Sequence, residues 1–168
     1  MAAKNHHKPI DDGMKVRGMY RLQITAPFDE NEIVGDSDWI ENQITNLGIQ
    51  NYIADCMGGV SGSSLITYAA LGTGTAPASN ATALPGEITG GTKRTNVTAA
   101  TTSSNRGGIQ YTCTFSSTSN FLAALSSLNN VGLFGHSSVN SIAAGQTYTQ
   151  STCDTNQNVN LTYILSFT

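Results

Sequence analysis

One histidine, His136, is the only side chain in residues 16–168 that is well suited to proton transfer near neutral pH. General acid–base catalysis usually requires a histidine, or carboxylates held in a shielded pocket. His136 follows Gly135, precedes Ser137 and Ser138, and comes just after the apolar segment 131–134. This neighbourhood predicts an exposed turn after a buried strand, so we expect no catalytic role for His136.

A serine nucleophile is the second candidate for chemistry. The tripeptide Gly35-Asp36-Ser37 resembles the nucleophile segment of a family of serine esterases. The match covers three residues, Asp38 stands where an apolar residue is usual, and no Asp-x-x-His pattern follows near the C-terminus. Because a serine hydroxyl without a neighbouring base is a weak nucleophile, we predict that Ser37 is inert.

Metal binding is the third possibility. Carboxylate oxygens suit calcium, and five acidic residues lie close together: Asp29, Glu30, Glu32, Asp36 and Asp38. They lack the central glycine and the closing glutamate of a helix–loop–helix site, so a solvated hairpin tip is the simpler interpretation. The cysteines, Cys56, Cys113 and Cys153, have no metal-site spacing. We predict that they are buried small residues in a reducing compartment.

Two further motifs point to structure rather than to ligands. Gly72-Thr73-Gly74 lacks the third glycine and the following helix of a dinucleotide loop, so we predict a tight turn that requires positive φ. Lys93, Arg94 and Arg106 form at most a small basic patch, which could pair with acids of a neighbouring subunit. We therefore predict no catalytic, cofactor-binding or metal-binding residues, and no enzymatic activity.

The composition is unusually poor in charge. Charged residues make up 11% of the chain, against roughly 25% in ordinary globular proteins. Nucleic-acid binding requires clustered basic residues, so we expect no nucleic-acid partner. Two interpretations remain open: a neutral surface that is simply hydrated, or a surface covered by other subunits.

The beginning of the chain differs from the rest. Residues 1–15 have no apolar periodicity and contain Pro9 and Gly13, which predicts an extended arm that a neighbouring subunit could hold. These residues lack the features of a signal peptide. No apolar run approaches the ~18 residues that span a bilayer, so we expect no membrane association.

Residues 16–168 have the pattern of a single mainly β domain. Tyr20, Leu22 and Ile24 alternate with polar residues, as do the apolar residues of 158–167, which is typical of half-buried strands. Apolar residues at helical spacing over 47–57 predict one short helix, with Asn46 as its N-cap and Gly58-Gly59 at its end. Turn signals between short strands favour an antiparallel, jelly-roll-like β-sandwich with this helix and the N-terminal arm.

Several segments together resemble structural proteins of tailed-bacteriophage virions. They are VRGMYRL at 16–22, NQITNLG at 42–48, ALGTGTAP at 70–77, TALPGEI at 82–88 and NVGLF at 130–134. The ordered set covers most of the chain from residue 16 onward. It is similar both to head-decoration proteins and to tail or fibre components, and it implies a virion protein without catalytic residues.

The resemblance favours a capsid decoration or cement protein that binds the major capsid protein or other virion proteins as a homo-oligomer, with a trimer preferred. Such a protein would be located in the virion and assembled in the host cytoplasm. A tail, neck or fibre-attachment protein is the first alternative. A carbohydrate-binding module is the second, since Trp39 could form a stacking platform with a tyrosine: Tyr20, Tyr52, Tyr68, Tyr111, Tyr148 or Tyr163.

The arm generates a prediction about assembly. Deleting residues 1–15 is expected to leave the fold intact and to weaken assembly, because the arm would add contacts only to a neighbour. Circular dichroism of the truncated protein and its occupancy on purified particles measure the two effects. Wild-type occupancy of the truncated protein would contradict the prediction.

Overall fold

The computed structural model describes residues 15–61, 64–89, 94–102 and 107–167. These residues form ten antiparallel strands: β1 (Val16–Thr25), β2 (Ile33–Asp36), β3 (Ile40–Ile44), β4 (Tyr68–Gly72), β5 (Thr95–Asn96), β6 (Thr98–Thr101), β7 (Gly108–Phe115), β8 (Ser126–Phe134), β9 (Ile142–Cys153) and β10 (Asn158–Phe167). The prediction of a mainly β, antiparallel chain with one short helix is confirmed. The predicted arm falls, apart from Lys15, outside the described residues.

The pairing of β1 with β10 joins the two ends of the domain. The strands run antiparallel over their full lengths, with Tyr20 opposite Tyr163 and Leu22 opposite Leu161. Alternate side chains of both strands are buried, as their sequence alternation predicts. The Tyr20 hydroxyl group donates a hydrogen bond to the carbonyl oxygen of Thr147 at 2.8 Å, so the pair is also tied to β9.

The sheet curls until its ends nearly meet. Its strands follow the order β5-β4-β8-β9-β3-β1-β10-β7-β6, and β2 pairs with β1 outside this path. The continuous segment 95–101 pairs with β4 at its start and with β7 at its end. One stretch of chain therefore nearly closes the sheet around the core.

Strand β3 links the two halves of the sheet. Residues 40–42 pair with β1, whereas residues 43 and 44 pair with β9. The core formed under this junction contains side chains from both halves, such as Leu22 and Leu161 on one side and Leu71 and Leu133 on the other. The two halves therefore bury a common set of apolar side chains.

The short helix begins directly after this junction. It is π-helical over Gly48–Ala54 and α-helical over Asp55–Met57. The prediction that Asn46 caps it was wrong: the Thr45 hydroxyl oxygen accepts a hydrogen bond from the Gly48 amide at 2.9 Å. The wider π-helical turn also changes which residues face the core, because Tyr52 is buried whereas Ile49 is exposed.

The Gly72-Thr73-Gly74 turn is tight, but the predicted reason was wrong. Neither glycine has a positive φ. Gly74 instead lies directly against the backbone of Pro85, and a Cβ atom at residue 74 would overlap the Pro85 carbonyl group. The Thr73 amide donates a hydrogen bond to the Gly86 carbonyl oxygen at 3.0 Å. The glycines therefore permit close contact between two loop backbones.

This contact predicts that Gly74→Ala destabilises the fold. We expect the free energy of unfolding to fall by about 1–3 kcal/mol, because backbone atoms must move to admit the methyl group. Chemical denaturation measures this change. Gly58→Ala is the matched control, since Gly58 has an ordinary helical φ of −78° and its Cβ would meet no atom closer than 3.3 Å. Equal stabilities of the two variants would contradict the proposed contact.

Candidate functional site

An apolar cavity of about 220 Å³ opens between the short helix and the adjoining end of the sheet. The helix contributes Ile53, Cys56 and Met57, and the strands contribute residues such as Ile109 and Phe167. At one edge of the cavity the helix lies directly on β9, since a Cβ atom at Gly48 would overlap the Ala143 carbonyl oxygen. An apolar space of this size suits an apolar occupant.

Polar groups beside the cavity hold its walls in place. The Tyr52 hydroxyl group donates to the Ser141 carbonyl oxygen at 2.7 Å and accepts from the Gly135 amide at 2.9 Å. The Cys56 thiol group lies 3.3 Å from the Ser64 carbonyl oxygen, which it faces as a weak donor. Tyr111 also lines the cavity, and burial raises the pKa of its hydroxyl group. These groups fix the shape of the cavity and leave its lining mainly apolar.

The mouth of the cavity is also apolar. Met57 and Leu65 line the cavity, yet 67% and 70% of their surfaces remain exposed. Ile49 and Val60 are about half exposed on the same helix and the loop that follows it. Clustered exposed apolar side chains around a concave surface are typical of an interaction site.

A second exposed apolar group lies at the tip of the β1–β2 hairpin. Phe28 is 99% exposed, and Ile33 and Val34 are about half exposed. The turn that presents Phe28 is well ordered by its own hydrogen bonds: the Asn31 amide donates to the Asp29 carboxylate at 2.9 Å, and the Glu32 amide donates to the Asp29 carbonyl oxygen at 3.1 Å. The sequence signalled the acidic tip but not its exposed phenylalanine.

The acidic residues of the tip have separate partners. The Asp36 carboxylate accepts hydrogen bonds from Arg21 and Gln23, and the bond to Arg21 holds the pKa of Asp36 well below its usual range. Asp29 is engaged by Asn31 within the turn. Among the described residues, no three His, Cys, Asp or Glu side chains come together as a metal site.

Ser37 and His136 both have structural contacts. The Ser37 hydroxyl group accepts from the Leu22 amide and donates to the Asp38 carbonyl oxygen, both at 2.9 Å. The predicted exposed turn at His136 is confirmed, and its Nδ1 atom lies 3.1 Å from the Ser138 amide. Among the described residues, no hydrogen bond joins Ser37 to His136, so these two candidate catalytic residues do not form a pair.

The interpretation of Arg94 as part of an exposed basic patch was wrong. Arg94 is only 6% exposed and makes a bidentate ion pair with Glu87, at 2.7 and 2.9 Å. Its remaining amine donates to the carbonyl oxygens of His136 and Val139, both at 2.8 Å. Lys93 and Arg106 lie outside the described residues. Arg94 therefore connects two loops inside the chain, and no local sequence signal distinguished it from a surface arginine.

The three cysteines are free thiols with different surroundings. Cys153 is fully buried, as predicted, whereas Cys56 and Cys113 are partly exposed. Burial raises the pKa of Cys113 to about 12 and that of Cys153 to about 11. Both groups are therefore protonated and poorly reactive near neutral pH.

No protein-family model matches this chain, and no curated protein or solved structure shows significant similarity to it. Within the part of the chain that the structure describes, no helix has both the length and the hydrophobicity needed to cross a bilayer.

Arg94 and Arg21 provide a matched pair of predictions. Arg94→Ala is expected to lower the free energy of unfolding by about 3–5 kcal/mol, because it leaves the Glu87 carboxylate buried without its partner. Arg21→Ala is expected to lower the free energy of unfolding far less, because the Arg21–Asp36 pair is open to water. Urea denaturation of both variants at pH 7 tests this difference. An Arg94→Ala variant as stable as Arg21→Ala would contradict the role assigned to the buried pair.

Proposed function

We propose that this protein is a non-enzymatic structural subunit of a tailed-bacteriophage virion, and specifically a capsid decoration protein that binds the outer shell. The observation that carries the proposal is the apolar side chain of Phe28, fully exposed on an ordered hairpin tip. A large aromatic side chain in this position is typical of an anchor for another protein. The virion assignment itself rests on the sequence resemblance.

The use of the polar side chains supports a structural role. Ser37 connects β1 to the segment that follows β2, Arg94 holds two loops together, and the backbone of His136 is one of the acceptors of Arg94. These groups contribute to the stability of the fold through contacts within the chain. Ser37 and His136 are also the two residues whose types suggested catalysis in the sequence.

The distribution of charge supports extensive contact with other subunits. Few charges occur beyond the N-terminal third of the chain, while apolar side chains are exposed at the hairpin tip and at the cavity mouth. A surface of this kind favours association over isolation in solution. We propose that the partners are the major capsid protein and further copies of this chain, in a homo-oligomer that is preferably a trimer.

The jelly-roll-like sandwich is proposed as the finer description of the fold. In support, β3 divides the sheet into a half that contains β1, β10 and β7 and a half that contains β9, β8 and β4. Apolar residues from both halves pack in a shared core. Decoration of a shell would then use loops at the ends of the two halves.

The carbohydrate-binding alternative has less support. Trp39 is 42% exposed, but five of the six tyrosines are buried: Tyr20, Tyr52, Tyr111, Tyr148 and Tyr163. Tyr68 is partly buried beside the second core cluster. A sugar would therefore meet Trp39 without the predicted tyrosine platform.

A tail or neck location is compatible with the same exposed apolar surfaces. The number of copies of the protein per particle distinguishes such a location from decoration of the shell.

The test of the proposal is the copy number of the protein in purified particles. Decoration predicts a ratio to the major capsid protein near stoichiometric, because such a protein occupies a repeated position on the lattice. Quantitative mass spectrometry of intact particles measures this ratio. A ratio of a few per cent or less would assign the protein to the tail or neck, and its absence from particles would refute the virion proposal.

A further inference from the structure

We propose that two copies of this chain join head to tail, with Phe28 of one copy inserted into the apolar cavity of the next. This inference rests on one part of the proposed function, namely that the protein is a homo-oligomer. It specifies the contact between the copies. It requires an exposed aromatic group, a cavity that can hold it, and basic side chains near the cavity that can pair with the acidic residues around the aromatic group. The described residues supply all three.

The aromatic group is Phe28. Its ring projects from a two-stranded hairpin whose turn is held by Asp29, so little backbone freedom is lost when the ring is buried in a partner. No other large apolar side chain in the described residues is as exposed. A solvent-exposed aromatic residue beside a hydrogen-bonded turn is the kind of anchor that dominates protein interfaces.

The cavity matches this anchor in size and chemistry. A cavity of about 150 Å³ lined by apolar side chains accepts a benzene molecule, and this one measures about 220 Å³. Met57 and Leu65 at its mouth are exposed and flexible enough to close around an inserted ring. Insertion would cover these side chains and fill the space beneath them.

Basic side chains lie near the cavity, and acidic side chains surround Phe28. Val16 pairs with Phe167, a lining residue of the cavity, so the exposed Lys15 and Arg17 lie at the cavity end of β1. The exposed Asp29, Glu30 and Glu32 surround Phe28 at the other end of the same strand. Asp55 of the short helix and the exposed Glu41, which pairs with Met19, also lie toward this end, so Lys15 and Arg17 act there as separate charges and not as a net positive surface. The acidic tip of one copy is therefore placed to form ion pairs with Lys15 and Arg17 of another.

The geometry determines the kind of assembly. The hairpin tip and the cavity lie at opposite ends of β1, whose ten residues span about 33 Å. A chain cannot fill its own cavity in this way, and the contact joins two different surfaces. Such a heterologous contact produces a closed ring if the rotation between copies closes, and a chain of subunits otherwise. The preferred trimer would be a three-membered ring of this kind.

Disulfide trapping in the full-length protein tests this contact while Phe28 is retained. A Glu30→Cys chain is mixed with a Met57→Cys chain under mild oxidation, since residue 30 adjoins Phe28 and residue 57 lies at the cavity mouth. We expect a crosslinked dimer of the two different chains, identified by mass spectrometry as a 30–57 disulfide. Cys56 is a partly exposed thiol that lines the cavity beside residue 57, so it is changed to serine in both chains. Cys113 and Cys153 are poorly reactive for the reasons given above, and each chain oxidised alone provides the background.

The matched control adds Phe28→Asp to the Glu30→Cys chain. Phe28 is fully exposed, so this change is expected to leave the fold intact and to reduce the yield of the 30–57 crosslink at least about tenfold. Phe28→Leu is expected to retain most of the yield. Equal yields with phenylalanine and aspartate would overturn the proposal, as would the absence of a 30–57 crosslink.

Other occupants of the cavity give distinct results that would also overturn it. If residues 1–14 cover the cavity within one chain, the crosslink will form only after their deletion. If a small apolar molecule fills it, native mass spectrometry will show the bound mass and no crosslink will form. Failure of the proposed function is separate: a protein that is absent from particles but forms the 30–57 crosslink refutes the decoration role alone.

Discussion

The junction between β3 and Thr45 is the constraint on which the rest of this structure depends. β3 pairs with β1 through its first residues and with β9 through its last, so it joins the halves of the sheet. Thr45 is completely buried, and its hydroxyl group donates toward the carbonyl oxygens of Ile142 and Ala143, at 2.6 and 3.0 Å. The same oxygen accepts from the Gly48 amide, and it therefore sets the start of the helix against β9.

The cavity follows from this junction. The helix cannot move into the space between the halves of the sheet, because its first turn is held by Thr45 and by the close contact of Gly48 with Ala143. It also cannot move away without breaking the hydrogen bonds of Tyr52 to Ser141 and Gly135. The space beneath the helix is thus maintained by polar contacts at its edges rather than filled by side chains.

The few charges of the chain have two different uses. Arg94 and Glu87 are largely buried and satisfy each other and two loop carbonyl groups, while the guanidinium carbon lies 3.6 Å from the centre of the Phe134 ring. The charges at the ends of β1 remain exposed and differ in sign from one end to the other. The buried Arg94–Glu87 pair holds two loops in place. The exposed charges of β1 and its adjoining turn place basic residues at one end of the strand and acidic residues at the other.

The sequence by itself determined the class of structure, because alternation in segments such as 158–167 and the turn residues between them are local properties of the chain. It also located the short helix and the exposed turn at His136. The tertiary structure alone decided how Arg94 is used, why Gly74 must be glycine, and that Thr45 rather than Asn46 begins the helix. Each of these depends on a residue distant in sequence or on a backbone brought close by the curled sheet, so no local pattern records it. The exposure of Phe28 and the cavity near Phe167 likewise arise only when β1 and β10 have been paired.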